Sequence, residues 1–308
     1  MNYLVTGGAG FIGSNYVRML LSDQLGPVTS VKVVDKLTYA GRLENLKTVS
    51  QDPRFSFIQG DICDEEIVNS CVNEGDVIVH FAAESHVDRS ISGPSEFIKT
   101  NILGTQILLS AAVKKKAKIF LHVSTDEVYG SVETNGSIES DPLKPNSPYS
   151  ASKAASDLIV RAYVETFGLD ARITRCCNNY GPNQYPEKFI PLAIKSLKEG
   201  KKIPIYGDGS NIREWIHVED HCLAIQAVIE KGSSGEVFNV GSGESFTNLE
   251  IANKLIEFYG ENEDKIEYVK DRLGHDFRYS LNSTKIFTRT RFKPAKQLMP
   301  FLKNAFEV

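Results

Sequence analysis

No apolar stretch in the 308 residues reaches the roughly 20 residues that a membrane-spanning helix needs. The five cysteines (Cys63, Cys71, Cys176, Cys177 and Cys222) are odd in number and form no C-x-x-C pair, which argues against a disulfide framework and against structural zinc. The six histidines are scattered and make no metal constellation. A formal net charge of −4 leaves no basic footprint for nucleic acid. The one basic run, Lys114-Lys115-Lys116, closes an expected helix, where cations suit the helix dipole. There is no internal repeat and no low-complexity segment. The chain opens on an apolar strand with no basic or apolar leader, so a cytosolic protein is expected.

What is present is an ordinary globular composition, 41% hydrophobic and 24% charged, with an uncommon start. Met1 to Val5 read as a strand. Thr6-Gly7-Gly8-Ala9-Gly10-Phe11-Ile12-Gly13 follows, then a helical pattern to Leu21 and a second apolar run ending in Asp35. This is a βαβ unit with a glycine-rich first turn and an acid at the tip of its second strand, the pattern that binds a dinucleotide. Gly7 and Gly8 allow the tight turn, Gly10 lets the backbone approach a pyrophosphate, and Gly13 lets helix and strand pack closely. The helix N-terminus offers free N–H groups to the phosphates. Asp35 suits the two ribose hydroxyls of the adenosine half and repels a 2′-phosphate, favouring NAD over NADP, although Lys36 could pair with such a phosphate.

Strands are expected at Asn2–Thr6, Val31–Asp35, Phe55–Gln59, Val77–Phe81, Lys118–Ser124 and Ala171–Arg175, and helices at Phe11–Leu21, Glu65–Asn73, Asn101–Lys115 and Ser150–Phe167. Continuous apolar strands alternating with helices predict an α/β fold, a Rossmann-type doubly wound parallel sheet. After Arg175 the character changes, to turn-rich Asn178–Asn183, a helix at Phe189–Lys198, Ile203–Tyr206, a helix at Glu219–Lys231 and another at Asn248–Tyr259. The division expected is a dinucleotide-binding domain over 1–175, with segments near 213–240 returning to it, and a smaller α/β substrate domain over 176–308.

Doubly wound sheets bind ligands at the C-terminal ends of their strands. Those ends read Gly60-Asp61-Ile62, suited to an adenine edge, then Ala82-Ala83-Glu84-Ser85-His86, and Ser124-Thr125-Asp126-Glu127-Val128-Tyr129-Gly130. Tyr149 and Lys153 stand four apart at the start of a helix and share a face. A lysine ammonium beside a phenol lowers its pKa and makes an acid/base for an alcohol, and Lys153 can also hold the nicotinamide ribose.

Gly7-x-x-Gly10-x-x-Gly13 with Tyr149-x-x-x-Lys153 resembles the extended short-chain dehydrogenase/reductase family. Asp35–Gly41, Ala82–Ser90 and Ser124–Gly130 narrow the resemblance to the dTDP-glucose 4,6-dehydratases, over nearly the whole chain. The match thins after Tyr279; the C-terminal end is short for that family, and Leu273 stands where proline is usual. The resemblance implies NAD contacts at Phe11, Ile12, Lys36, Leu37, Thr38, Asp61, Ile62, Ala82, Ala83, Glu84, Ser85, Thr100 and Asn179, besides the three glycines, Asp35, Tyr149 and Lys153. It implies substrate contacts at His86, Thr125, Asn178, Lys188, Phe189, Ile190, Pro191, Leu192, Pro204, Ile205 and Tyr206. Arg213 would pair with the diphosphate, and Asn248, Asp271, Arg272 and His275 would close over the nucleotide. It also implies a homodimer built from two helices per subunit, Asn101–Lys115 and Ser150–Phe167.

The chemistry implied is redox-neutral dehydration of dTDP-glucose to its 4-keto-6-deoxy product, for deoxysugars such as rhamnose. Tyr149 takes the 4-hydroxyl proton as C4 is oxidised by NAD⁺. Glu127 then removes the C5 proton, Asp126 protonates the departing C6 hydroxyl, the hydride returns to C6, and C5 is reprotonated. Thr125 would hydrogen-bond the 4-hydroxyl. Two carboxyl groups in opposite protonation states need environments that push their pKa values apart. Three rivals stand beside this reading: a UDP-sugar 4-epimerase, which has no use for Asp126-Glu127; a 4,6-dehydratase acting on a UDP- or CDP-sugar; and a non-catalytic NAD-sensing protein.

Overall fold

The structure is a computed structural model that describes residues 1–261 and 263–306. Residues 262, 307 and 308 of the expected second domain lie outside the described residues. The first half alternates as the sequence predicts: β1 (Asn2–Thr6), α1 (Phe11–Leu21), β2 (Ser30–Asp35), β3 (Phe55–Gln59), α2 (Glu65–Cys71), β4 (Val77–His80), α3 (Val87–Ser92), α4 (Pro94–Phe97), α5 (Thr105–Lys114), β5 (Ile119–Thr125), α6 (Pro148–Phe167) and β6 (Ala171–Cys176). Then follow β7 (Asn178–Tyr180), α7 (Phe189–Lys198), β8 (Ile203–Tyr206), β9 (Ile212–His217), α8 (Val218–Lys231), β10 (Val237–Val240), β11 (Ser245–Thr247), α9 (Asn248–Tyr259), β12 (Ile266–Val269), α10 (Thr284–Thr290) and α11 (Leu298–Asn304).

The main sheet has seven strands in the order β10-β6-β5-β4-β1-β2-β3, and every pairing in it is parallel. One face buries Tyr16, Val17, Leu20, Ile225 and Val228 from α1 and α8. The other buries Val68, Leu108, Leu109 and Val160 from α2, α5 and α6. Both faces are thus dry, which is why the strands read as unbroken apolar runs. Chain order reverses between β1 and β4, and that reversal opens a crevice at the strands' C-terminal ends.

Two features depart from the sequence expectation. The seventh strand, β10, carries a fully buried Asn239 in its middle, which breaks the apolar run that would have marked it. Asn239 is satisfied by Tyr129 (2.8 Å) and by the Ser137 carbonyl (2.7 Å). The helix expected over 101–115 is split, because Ile98–Gly104 winds as a π-helix before α5 begins. Such turns commonly mark functional sites. Here the wider turn presents Asn101, whose amide bridges both backbone groups of Glu84 (2.8 and 3.0 Å) and the Ser152 hydroxyl (2.8 Å).

The smaller sheets lie in the second half: β11-β9-β7, and β12 beside β8. They share a core of Tyr180, Ile190, Leu197, Trp215, Ile251, Leu255 and Leu298 with α7, α9 and α11. Some later segments pack back on the large sheet: β10 extends it, and α10 rests on α8 and β10.

Candidate active site

A cavity of about 340 Å³ opens at the crevice, within the size range of small-molecule sites. Its floor is the glycine turn. Gly7 has φ +70°, and a Cβ there would lie 2.5 Å from the Ala82 nitrogen; a Cβ on Gly13 would lie 2.3 Å from the Gly7 carbonyl oxygen. The turn therefore presses against the end of β4 and the start of α1, with no room for side chains. Helix α1 begins at Gly10 with no side-chain cap, and its first residues Phe11, Ile12 and Gly13 face the cavity. Uncapped N–H groups, a positive helix end and a side-chain-free turn fit a dinucleotide pyrophosphate.

Asp35 lines the same cavity and is nearly buried. Its carboxylate accepts from the Ala9 N–H (2.9 Å) and the Leu37 N–H (2.8 Å), one on each oxygen. A carboxylate has about four lone-pair sites, so one remains on each oxygen, a match for two vicinal hydroxyls. Lys36 is held by Asp61 at 2.8 Å and is not free for a 2′-phosphate. This pairing, with the Asp35 carboxylate, favours NAD over a 2′-phosphate.

Across the cavity the capping box of Ser147 and Ser150, with Pro148 in the first turn, fixes where α6 starts. Tyr149 and Lys153 then face the C-terminal end of β5. Lys153 is 4% exposed and donates to the Val123 carbonyl at 2.7 Å; burial lowers its pKa to about 8. The Tyr149 phenol is pushed well above its ordinary pKa, first by burial and then by the charges of Glu127 and Asp126, while the Thr125 hydroxyl opposes this. Burial outweighs any lowering of the phenol by Lys153 in this arrangement, where the ammonium donates to the Val123 carbonyl.

The two carboxyl groups differ as the chemistry requires. The Asp126 carboxyl is raised well above its usual range by burial and by its neighbours Glu127 and Glu214. Its Oδ2 is buried with no hydrogen-bond partner, and Oδ1 accepts from the Thr125 hydroxyl at 3.1 Å. Burial raises Glu127 too, but Arg213, Lys188 and Arg272 oppose the rise. Of the two, Asp126 is the more strongly held in its neutral form. A carboxyl whose folded pKa is raised contributes stability that is complete below its unfolded value near 4 and is lost as pH climbs. Asp126→Asn is therefore expected to raise stability by at least about 1 kcal/mol at neutral pH. The gain should shrink to nothing near pH 3, as read by thermal melts across pH, with activity falling in the same variant.

All the expected cofactor contacts line this cavity except Leu37, whose backbone carries φ +57° and serves Asp35 instead. Thr125, Asn178, Lys188 and Phe189 line it as well. Asn179 lines it with its amide locked by His221 (2.9 Å) and the Cys177 carbonyl (2.9 Å). The expected nucleotide contacts fall into four groups. Ile190 and Ile205 turn their side chains into the second-half core, as helical and strand periodicity demand, so only their backbone can meet a ligand. Pro191, Leu192, Pro204 and Asn248 lie outside the cavity lining, on the elements bordering it. Arg213 is buried over the Tyr279 ring (4.3 Å) and donates to the carbonyls of Ile212, Asp276 and Phe277. The rest cluster around Asp88, which accepts two bonds from Arg272 (2.6 and 3.0 Å) and one from Tyr206 (3.2 Å). His86 sits 3.8 Å from the same carboxylate, and His275 holds Asp271 at 2.7 Å.

Sequence reasoning missed Tyr39, Tyr185, Glu187 and Trp215 in the cavity wall. The Arg89 guanidinium lies 3.8 Å from the centre of the Tyr39 ring and 3.1 Å from Glu187, a contact between residues about a hundred apart that no local pattern announces. Tyr39 alone had a signal, since it stands within the Asp35–Gly41 motif.

A doubly wound sheet with an uncapped dinucleotide turn, facing a Tyr-x-x-x-Lys helix, defines an extended short-chain dehydrogenase/reductase. The family described as GDP-mannose 4,6 dehydratase matches residues 4–304. A dTDP-glucose 4,6-dehydratase of Actinoplanes sp. is 52% identical over 96% of this chain and 93% of its own. The structure of DesIV (dTDP-glucose 4,6-dehydratase) from Streptomyces venezuelae with NAD and TYD bound superposes with a TM-score of 0.98 at 50% identity, over 100% of this chain and 96% of that one. UDP-glucose 4-epimerase from Thermotoga maritima with UDP-glucose is more distant, at 31% identity and a TM-score of 0.91 over 100% and 98% of the chains. The chain belongs to this nucleotide-sugar dehydratase family, and within it to the dTDP-glucose 4,6-dehydratases.

Proposed function

We propose that the chain removes water from dTDP-glucose to give dTDP-4-keto-6-deoxyglucose, with NAD as its resident cofactor. The observation that carries this is the pair Asp126 and Glu127, set beside Thr125 and Tyr149 with Asp126 the more strongly raised. An epimerase needs the tyrosine and lysine but has no task for two further carboxyl groups.

Gly7, Gly10, Gly13, Asp35 and Lys153 would hold NAD, which would supply the oxidation at C4 and the matching reduction at C6. Tyr149 moves the proton of the sugar 4-hydroxyl, and Thr125 hydrogen-bonds that oxygen and holds the Asp126 carboxyl. A ketone at C4 acidifies C5–H. Glu127, whose charge three cations favour, takes that proton and returns one to C5 once C6 has been reduced. Asp126, kept neutral by burial, delivers its proton to the leaving C6 hydroxyl. Lys188, Arg213 and Arg272 all bear on Glu127, and Lys188, on the cavity wall, offers positive charge of the kind a nucleotide diphosphate needs. The Asp88–Arg272 pair bridges α3 to the 271–275 segment, so we read that segment as closing over the nucleotide.

Incubation with dTDP-glucose and, separately, UDP-glucose tests the reading. Proton NMR should show a 4-keto-6-deoxy sugar from the dTDP substrate at a kcat/KM at least about tenfold above the UDP substrate. UDP-galactose as the product, without loss of water, would replace the dehydratase by an epimerase.

We further read the protein as a cytosolic homodimer supplying deoxysugar synthesis, rhamnose among its products, with the domain boundary near residue 175. Ile98, Leu103 and Leu158 are 46–57% exposed on the adjoining π-helix and α6, and exposed apolar groups of this size suit a four-helix interface. Leu158→Asp is expected to halve the mass seen by sedimentation; an unchanged mass would remove that interface.

A further inference from the structure

Behind the catalytic face of α6 lies a dry layer of ionisable groups that the reaction scheme does not use. Asp157 stands one turn after Lys153 on α6 and is 2% exposed. Its Oδ2 accepts from the Arg175 Nε of β6 at 2.9 Å, while Oδ1 is buried with no hydrogen-bond partner and lies 3.5 Å from the His122 Nε2 of β5. His80 of β4 is next in line, its ring 5.3 Å from that of His122.

Hydrogen-bond logic fixes the charges of this layer. Ser156 donates its hydroxyl hydrogen to the Lys153 carbonyl (2.8 Å), so it accepts from the His122 Nε2–H (3.0 Å). Thr105 donates to the Asn101 carbonyl (2.6 Å), so it accepts from the His80 Nε2–H (3.0 Å), and His80 Nδ1 accepts from Thr6 (2.7 Å). Both imidazoles are neutral, held so by burial and by the nearby Lys153 charge. The Cys176 thiol of β6, pushed up to about 12, is neutral as well. Two buried cations, Lys153 and Arg175, are therefore left with one carboxyl group behind them, Asp157, which burial raises and which Arg175, the Ser124 hydroxyl and Lys153 favour in its charged form. On the cavity side, the charged or titratable groups facing the same helix turn are Tyr149, Asp126 and Glu127.

A buried ammonium without a counter-charge gives up its proton. We propose that Asp157 is a positioning residue of the active site: shared between Arg175 and Lys153 and steered by His122, it is the counter-ion that keeps Lys153 protonated and directed at the Val123 carbonyl and the cavity. The free Oδ1 is the observation that carries this, because an ion pair with Arg175 alone leaves it without purpose. Lys153 lies close to its own titration at neutral pH, so loss of Asp157 should matter there. The inference rests on Lys153 acting in the site proposed above, but its test does not need turnover.

In protein labelled with ¹⁵N-lysine and ¹³C-aspartate, the Lys153 Nζ resonance, assigned by its loss in Lys153→Arg, should titrate with a midpoint that falls by about one pH unit in Asp157→Asn. Asp157→Glu should restore it. In the unaltered enzyme the Asp157 carboxyl carbon should shift with the same midpoint as Lys153, a result that requires the variants neither to fold nor to work. The alkaline limb of kcat/KM should move down by the same amount in Asp157→Asn, where a merely structural loss would lower activity evenly across pH. An unchanged Lys153 midpoint in Asp157→Asn, or an Asp157 carbon blind to the Lys153 titration, would overturn the proposal. Coupled titration in an enzyme that leaves dTDP-glucose unchanged would uphold it and discard the dehydratase reading instead.

Discussion

Glu127→Gln is expected to lower formation of the 4-keto-6-deoxy sugar by roughly 10²–10⁴-fold, the usual worth of a general base. The first oxidation at C4 should survive. The substitution keeps the side chain's size and leaves the backbone N–H on Thr125 (3.3 Å), so Thr125, Tyr149 and Lys153 stay in place. What it removes is a carboxylate whose negative charge is supported by Arg213, Lys188 and Arg272. The halves of the reaction should come apart: with dTDP-glucose the absorbance of reduced nicotinamide should rise and persist, while exchange of the C5 proton with solvent stops. Product formation within tenfold of the unaltered enzyme would assign the base to another group.

Gly7→Ala is expected to cost about 2 kcal/mol of stability or more, and to release the cofactor during purification. Two penalties act together. Gly7 holds φ +70°, and the added Cβ meets backbone atoms of Phe81 and Ala82 at 2.5–2.8 Å, which cannot rotate away. Relief requires the end of β4 to move off the turn, and Ala82 and Ala83 with it, which widens the crevice on the cofactor side. Gly26→Ala separates the two causes. Its φ of +88° carries the same backbone strain, yet nothing lies within 4 Å of the added carbon, so it should cost about 1 kcal/mol and leave cofactor content unchanged. Equal effects at both positions would mean that crowding against β4 is irrelevant.

The cofactor half of the site was legible because its signals are local. A turn that admits no side chain must be glycine, a strand dry on both faces must be apolar, and the acid at a strand tip sits where the sheet delivers it. The Asp126-Glu127 pair was legible for the same reason, at the end of a strand. Its division of roles came from the resemblance alone; the structure adds Arg213, Lys188 and Arg272, brought from other parts of the chain, whose charges favour the ionised form of Glu127. The π-helix and Asn101 escaped because an apolar helical pattern does not distinguish one wide turn from regular winding. Strand β10 escaped because Asn239 interrupts its pattern for the sake of partners at Tyr129 and Ser137, both more than a hundred residues away. On the nucleotide side, Ile190 and Ile205 came from the resemblance as pocket residues, while their own periodicity already turned the side chains inward.

The central claim is that one site oxidises C4 and then uses Asp126 and Glu127 to eliminate water across C5 and C6. Its most direct test is to incubate the purified protein with dTDP-glucose in D₂O, without added NAD, and follow the sugar by NMR. The account predicts a 4-keto-6-deoxy product carrying deuterium at C5, formed with cofactor that the protein brings with it. A product in which C5 retains its original hydrogen, or no product even after NAD is supplied, would contradict it.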